Sequence, residues 1–203
     1  MRLLNNCNIF FISIFLLAAC DHTAQLNSLK TDDVVVAFGD SLTFGTGVNS
    51  DESYPTVLQH IIERTVVNAG IPGETSEEGL YRLPSVLNEQ HPTLVLLCTG
   101  GNDLLRRLDV KQTENNLYSM IKIIQESGAQ VVLIGVPEPK LLGGVAPFYK
   151  KLAEEFTIPY EGEVLNEVLR DNNLKSDAVH ANAQGYEKIA ERLAEVLKES
   201  GAL

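Results

Sequence analysis

Val34-Val35-Val36-Ala37-Phe38-Gly39-Asp40-Ser41-Leu42 is an uncharged, β-branched run that breaks at glycine and then presents an acid and a hydroxyl. Five apolar residues without alternation predict a strand buried on both faces, as in a parallel sheet. Further strand-like runs follow at Val66-Val67, Leu94-Val95-Leu96-Leu97-Cys98 and Val131-Val132-Leu133-Ile134-Gly135-Val136. Between and after them, apolar residues recur at helical spacing around 54–63, 77–90, 113–127, 145–156 and 183–199. Ile189, Leu193 and Leu197 are an example. Strands alternating with helices imply right-handed crossovers and a mostly parallel sheet covered on both sides. Gly128, Gly162 and Gly201 stand where helices or loops should end. The fold class is α/β, in one domain over 34–203.

The start of the chain has another character. Arg2 is the only charged residue of the first nineteen, and an apolar run from Ile9 to Leu17 leads into Ala18-Ala19-Cys20. A basic start, a short apolar core and small residues make a secretory signal, here over 1–19. Leu17-Ala18-Ala19-Cys20 resembles the bacterial lipobox, which implies cleavage before Cys20 and its lipidation. Residues 20–33 are polar and aperiodic and are expected to be a tether. The expected location is the bacterial cell envelope, with the domain lipid-anchored on the periplasmic face of a membrane. Cys98 is then left without a partner, and its apolar surroundings suit a small buried side chain.

Composition narrows the partners. The formal net charge is −11, and no basic stripe offsets it, so phosphate backbones would be repelled and nucleic acid is excluded as a partner. None of the four histidines has metal-ligand spacing with a second His or Cys, so neither metal nor cofactor is expected. A monomer acting on a small molecule is the expectation.

In an open parallel sheet the ligand site lies beyond the carboxyl ends of the strands. Three such loops carry polar or glycine-rich chemistry: Gly39-Asp40-Ser41-Leu42, Asn68-Ala69-Gly70-Ile71-Pro72-Gly73 and Thr99-Gly100-Gly101-Asn102-Asp103. A fourth block, Asp177-Ala178-Val179-His180, precedes the last helix. Acyl transfer calls for these parts together: a serine, a base to take its proton, an acid to orient that base, and donors for the oxyanion. Ser41 N–H, Gly70 N–H and the Asn102 side chain can supply three donors. Each feature alone is more simply a turn or a cap; their order after successive strands is what favours catalysis.

The four blocks resemble those of the SGNH (GDSL) hydrolases, in the same order, over residues 34 to 197. Gly73-Glu74-Thr75-Ser76 and Gly79-Leu80-Tyr81-Arg82-Leu83-Pro84 are most similar to the arylesterase, acyl-thioesterase and lysophospholipase branch. The resemblance implies a flavodoxin-like three-layer α/β/α fold and metal-free hydrolysis of carboxylic esters or thioesters through an acyl-enzyme. It implies a triad of Ser41, Asp177 and His180, with Ser41, Gly70 and Asn102 as the oxyanion hole. Ala181 stands where the family often has proline, which predicts a less rigid His180 loop, with Asn182 capping a helix from Ala183. Leu104, Leu105, Leu108, Leu141 and Leu142 are candidates for an acyl channel. Carbohydrate O-deacetylation is the alternative activity, and a non-catalytic lipid-binding lipoprotein the alternative of another class.

Overall fold

The computed structural model describes residues 24–139 and 144–203. Five parallel strands, β1 (Val34–Gly39), β2 (Thr65–Gly70), β3 (Leu94–Cys98), β4 (Gln130–Ile134) and β5 (Tyr160–Glu161), lie in the order β2-β1-β3-β4-β5. β1 and β3 are central, and Val35 to Phe38 and Leu94 to Leu97 have no solvent exposure. This is why both read as unbroken apolar runs. β2 forms one edge; Val66 is buried but Val67 only partly, so the expectation of burial on both faces fails there.

Helices cover both faces. On one side α2 (Tyr54–Ile62) and α7 (Val164–Arg170) pack on α8 (Ala183–Glu199), and on the other α3 (Ser76–Gln90) and α6 (Pro147–Phe156) pack on α5 (Val110–Glu126). Local sequence explains their ends. Thr75 and Glu78 form a reciprocal capping box at the start of α3. Asp109 caps α5, and Asn182 caps α8 by accepting from Gly185 N–H at 3.0 Å. Gly128 and Gly201, at φ +90° and +83°, follow α5 and α8. Gly162 instead follows the two-residue β5, against the Tyr160 ring.

The chain passes from β1 to β2 on one side and then returns to β3 on the other, so the strand order reverses between β1 and β3. Two short helices start at that switch point, α1 (Ser41–Phe44) after β1 and α4 (Gly101–Leu105) after β3. The fold thus delivers the first and third candidate loops side by side.

One boundary needs correction. Residues 26–33 are not a free tether: Leu26 and Leu29 N–H donate to the carbonyls of Ser200 and Ala202, both at 2.8 Å. Asn27 exchanges backbone hydrogen bonds with the Gln130 side chain, and Leu29 is 4% exposed within the core. Leu29 is the apolar residue that makes this docking favourable. Cys20 and the signal-like segment lie outside the described residues.

Candidate active site

β1 ends at Gly39 and is followed by Asp40, whose carboxylate accepts the Leu42 N–H at 3.0 Å and caps α1. The cap turns the chain sharply, so Ser41 becomes the first residue of the helix at the sheet edge. On the far side of the sheet's carboxyl end, the segment between α7 and α8 brings His180 to it. His180 Nε2 lies 3.0 Å from Ser41 Oγ, and His180 Nδ1 lies 2.7 Å from Asp177 Oδ2. The other Asp177 oxygen accepts the backbone N–H groups of Val179 and His180, at 2.8 and 2.9 Å. These bonds aim the carboxylate at the ring. Chiefly through the His180 bond, they hold the Asp177 carboxyl below its ordinary range, so it stays ionised.

The loop that lacks the family's proline is tied by other means. Ser176 bonds the carbonyls of His180 and Ala181, Asn182 bonds those of Leu174 and Asn173, and Ala181 is fully buried.

The second loop is not arranged as expected. Gly70 N–H donates to the Asn68 side-chain oxygen at 3.0 Å, and Gly70 Cα lies against the backbone of α1. A Cβ there would come within 2.2 Å of Phe44 N. Gly70 therefore lets α1 pack on the end of β2, and its donor is already used. Gly73 is the residue that reaches the cavity beside Ser41 and Asn102. It takes φ +81°, its carbonyl accepts Arg106 Nη2 at 2.7 Å, and its N–H has no acceptor among the described residues. Its nearest signal in sequence is the Thr75-x-x-Glu78 capping box, which fixes where the loop must end.

Asn102 lies in the first turn of α4, with its amide donating to the Glu74 carbonyl at 3.0 Å and standing 3.5 Å from Asp40 Oδ2. One N–H is thus anchored, and the other is held only loosely. Its neighbour Asp103 is buried and accepts from Ser76 N–H at 2.8 Å and Ser76 Oγ at 2.6 Å, fastening α4 to α3. Asp40 and Asp103 both hold backbone. Burial raises the Asp40 carboxyl to about 6, even though the Leu42 N–H opposes it.

A serine, an imidazole and a carboxylate in hydrogen-bonded sequence, beside the free Gly73 N–H and the loosely held Asn102 N–H, have the parts that acyl transfer requires. Residues 37–188 match the model of the GDSL-like lipase/acylhydrolase family. The chain belongs to that family. It is 32% identical over 174 residues to the thioesterase 1/protease 1/lysophospholipase L1 of Escherichia coli K12, covering 82% of this chain and 84% of that one. It is also 32% identical over 179 residues to an arylesterase of Vibrio mimicus, covering 83% and 90%. Among solved structures it resembles the psychrotrophic esterase EstA of a Pseudoalteromonas species in its monoethylphosphonate-inhibited form. There the TM-score is 0.76 and the identity 25%, over 83% of this chain and 98% of that one. This GDSL-family protein is an enzyme that hydrolyses ester bonds.

In this GDSL hydrolase the catalytic loops open into a cavity of about 750 Å³, within the usual size for small-molecule sites. Ser41, Asn102 and His180 line it together with Val136, Pro137, Lys175 and Leu169 of α7. Of the five leucines proposed for an acyl channel, Leu105 lines it. Leu104 does not: it turns inward from α4 and is 8% exposed within the core. Leu108 lies on the surface outside the lining. Leu141 and Leu142 fall outside the described residues. The α7 wall was missed in sequence, because a seven-residue helix gives little periodic signal.

Cys98 is 1% exposed and burial pushes its thiol up well above its ordinary value, so it is a packed, unreactive side chain.

Proposed function

We propose that Ser41 is the nucleophile of this esterase, His180 its general base and Asp177 the group that orients the base. The observation that carries this reading is the continuous chain from Ser41 Oγ through His180 to Asp177 at 3.0 and 2.7 Å. Ser41 Oγ attacks the acyl carbonyl as His180 Nε2 takes its proton; His180 then returns that proton to the departing alcohol or thiol. Water, activated by the same imidazole, releases the acid. Asp177 keeps the Nδ1–H tautomer and stabilises the imidazolium. Ser41 N–H, Gly73 N–H and the loosely held Asn102 N–H take the oxyanion, each donor worth about 3 kcal/mol in the transition state.

The substrates we propose are aryl esters, acyl thioesters and lysophospholipids, the classes named by the relatives. A mainly apolar cavity that continues past the triad supports an acyl chain longer than acetyl. The test is a panel of p-nitrophenyl esters from acetate to laurate, an acyl thioester, a lysophospholipid and an acetylated glycan. Hydrolysis of the medium-chain esters and thioester is expected. Cleavage confined to the acetylated glycan would replace this reading with the O-deacetylase one.

We further propose that the enzyme is a lipoprotein held at the periplasmic face of a membrane through Cys20. Arg2, the apolar run to Leu17 and the Ala18-Ala19-Cys20 ending support it. Cys20→Ser should move the protein from the membrane fraction to the soluble one; an unchanged membrane fraction contradicts the anchor.

A further inference from the structure

Asn102 and Gly73 must be held accurately for an oxyanion to meet both, and neither lies in a rigid strand. The residue that joins them is Glu74, which follows Gly73 directly and offers its carbonyl to the Asn102 amide at 3.0 Å. Its side chain points into the protein, where the carboxylate is 5% exposed and meets the Arg82 guanidinium as a fork, both contacts at 2.7 Å. Arg82 belongs to α3 and has two more attachments. Nη2 donates to the Ala69 carbonyl at the end of β2 at 3.0 Å, and the guanidinium lies 4.2 Å over the Phe38 ring of β1. One cation therefore ties the ends of β1 and β2 to the loop carrying Gly73 and Glu74.

We propose that Glu74 and Arg82 are positioning residues for the oxyanion site. Their ion pair, buried on the Glu74 side, fixes the Glu74 backbone, which orients the Asn102 amide and the adjoining Gly73 N–H. Neither residue touches the substrate. A planar fork suits this task, since it fixes direction as well as distance. A single pairing lost by mutation leaves a charge buried with no partner. Arg106, which holds the Gly73 carbonyl from the exposed side, is a weaker tie for the same loop.

This inference rests on the proposed role of Asn102, and a double-mutant cycle on the full enzyme separates the two. Arg82→Met and Glu74→Gln are each made alone and in an Asn102→Ala background, with kcat and KM measured on a p-nitrophenyl ester and folding checked by circular dichroism. In the native background each should lower kcat by about tenfold or more, with KM changed less than about threefold. In the Asn102→Ala background the same changes should lower kcat by clearly less, about threefold, because only the Gly73 N–H is then left for them to position. Arg82→Lys, which keeps the charge but not the fork, should fall between Met and native. If Arg82→Met does not fold, the cycle is closed with Arg82→Lys and Glu74→Gln. Equal losses in both backgrounds overturn the positioning role while leaving Asn102 in place. An Asn102→Ala enzyme as fast as the native one overturns the reading of Asn102 itself.

Discussion

Asn68 turns its side-chain oxygen back onto the Gly70 N–H at 3.0 Å, closing the end of β2 on itself. This contact, with the packing of Gly70 on α1, is why the proposed second oxyanion donor is Gly73 and not Gly70. The two glycines are then needed for different reasons. At Gly70 a Cβ would strike backbone at 2.2 Å, so Gly70→Ala should cost about 1–3 kcal/mol of stability or more by forcing α1 outward. At Gly73 the nearest obstacle is the flexible end of Arg106 at 3.6 Å. Gly73→Ala should therefore keep the fold, apart from about 1–2 kcal/mol of strain at positive φ. It should lower kcat by about tenfold as the N–H turns away. Thermal melts and kcat measured on both variants check this; a stable but inactive Gly70→Ala would return the donor role to Gly70.

Leu105 and Leu108 give a second contrast, because only Leu105 lines the cavity although both are about equally exposed, at 44% and 45%. Leu105→Asn should reduce kcat/KM for p-nitrophenyl octanoate about tenfold more than for the acetate, the equivalent of losing roughly half a leucine's burial. Leu108→Asn should leave that ratio within about twofold. Equal losses on both esters would remove Leu105 from the acyl path.

Asp40 makes stability depend on pH in an uncommon direction. It is 2% exposed, and burial raises its carboxyl from 3.8 to about 6 in the folded protein. Below about pH 4 the group is protonated whether folded or not, and it exacts nothing. Between about 4 and 6 the unfolded chain gives up the proton first, so stability falls with rising pH, by about 3 kcal/mol in full. Above 6 both states are ionised and the cost is constant. Asn at this position still caps α1 and carries no charge. The stability of Asp40→Asn minus that of the native protein should therefore grow from pH 4 to 6 and then level, as read from urea denaturation at each pH. A difference that stays flat across that range contradicts the assignment.

How much of this could be read beforehand depends on the range of the interactions involved. Val34 to Phe38 and Leu94 to Cys98 announced the two central strands because burial on both faces removes all alternation. The helices at 54–62, 76–90, 110–126, 147–156 and 183–199 were legible from their spacing and caps. Ser41, Asp177 and His180, which the structure brings into hydrogen-bond reach, stand out in sequence because each sits at a short motif beside an element boundary. Asn68-x-Gly70 is the louder local pattern, so the sequence alone points to Gly70. Only the three-dimensional structure shows that α1 leaves Gly70 no room and that the Asn68 side chain takes its donor. Leu29 was hidden in a polar stretch because its partner, Ala202, is at the other end of the chain. β5, with two residues, and α7, with seven, are too short to carry a period.

In the proposed mechanism Ser41 Oγ, activated by His180, is the atom that takes the acyl group. The most direct test is to treat the enzyme with a fluorophosphonate and map the adduct by peptide mass spectrometry. One stoichiometric adduct on Ser41 is expected, with parallel loss of esterase activity, no adduct in Ser41→Ala, and labelling slowed by at least about a hundredfold in His180→Ala. An adduct on another residue, or a folded Ser41→Ala enzyme that still hydrolyses esters at the native rate, would contradict the mechanism.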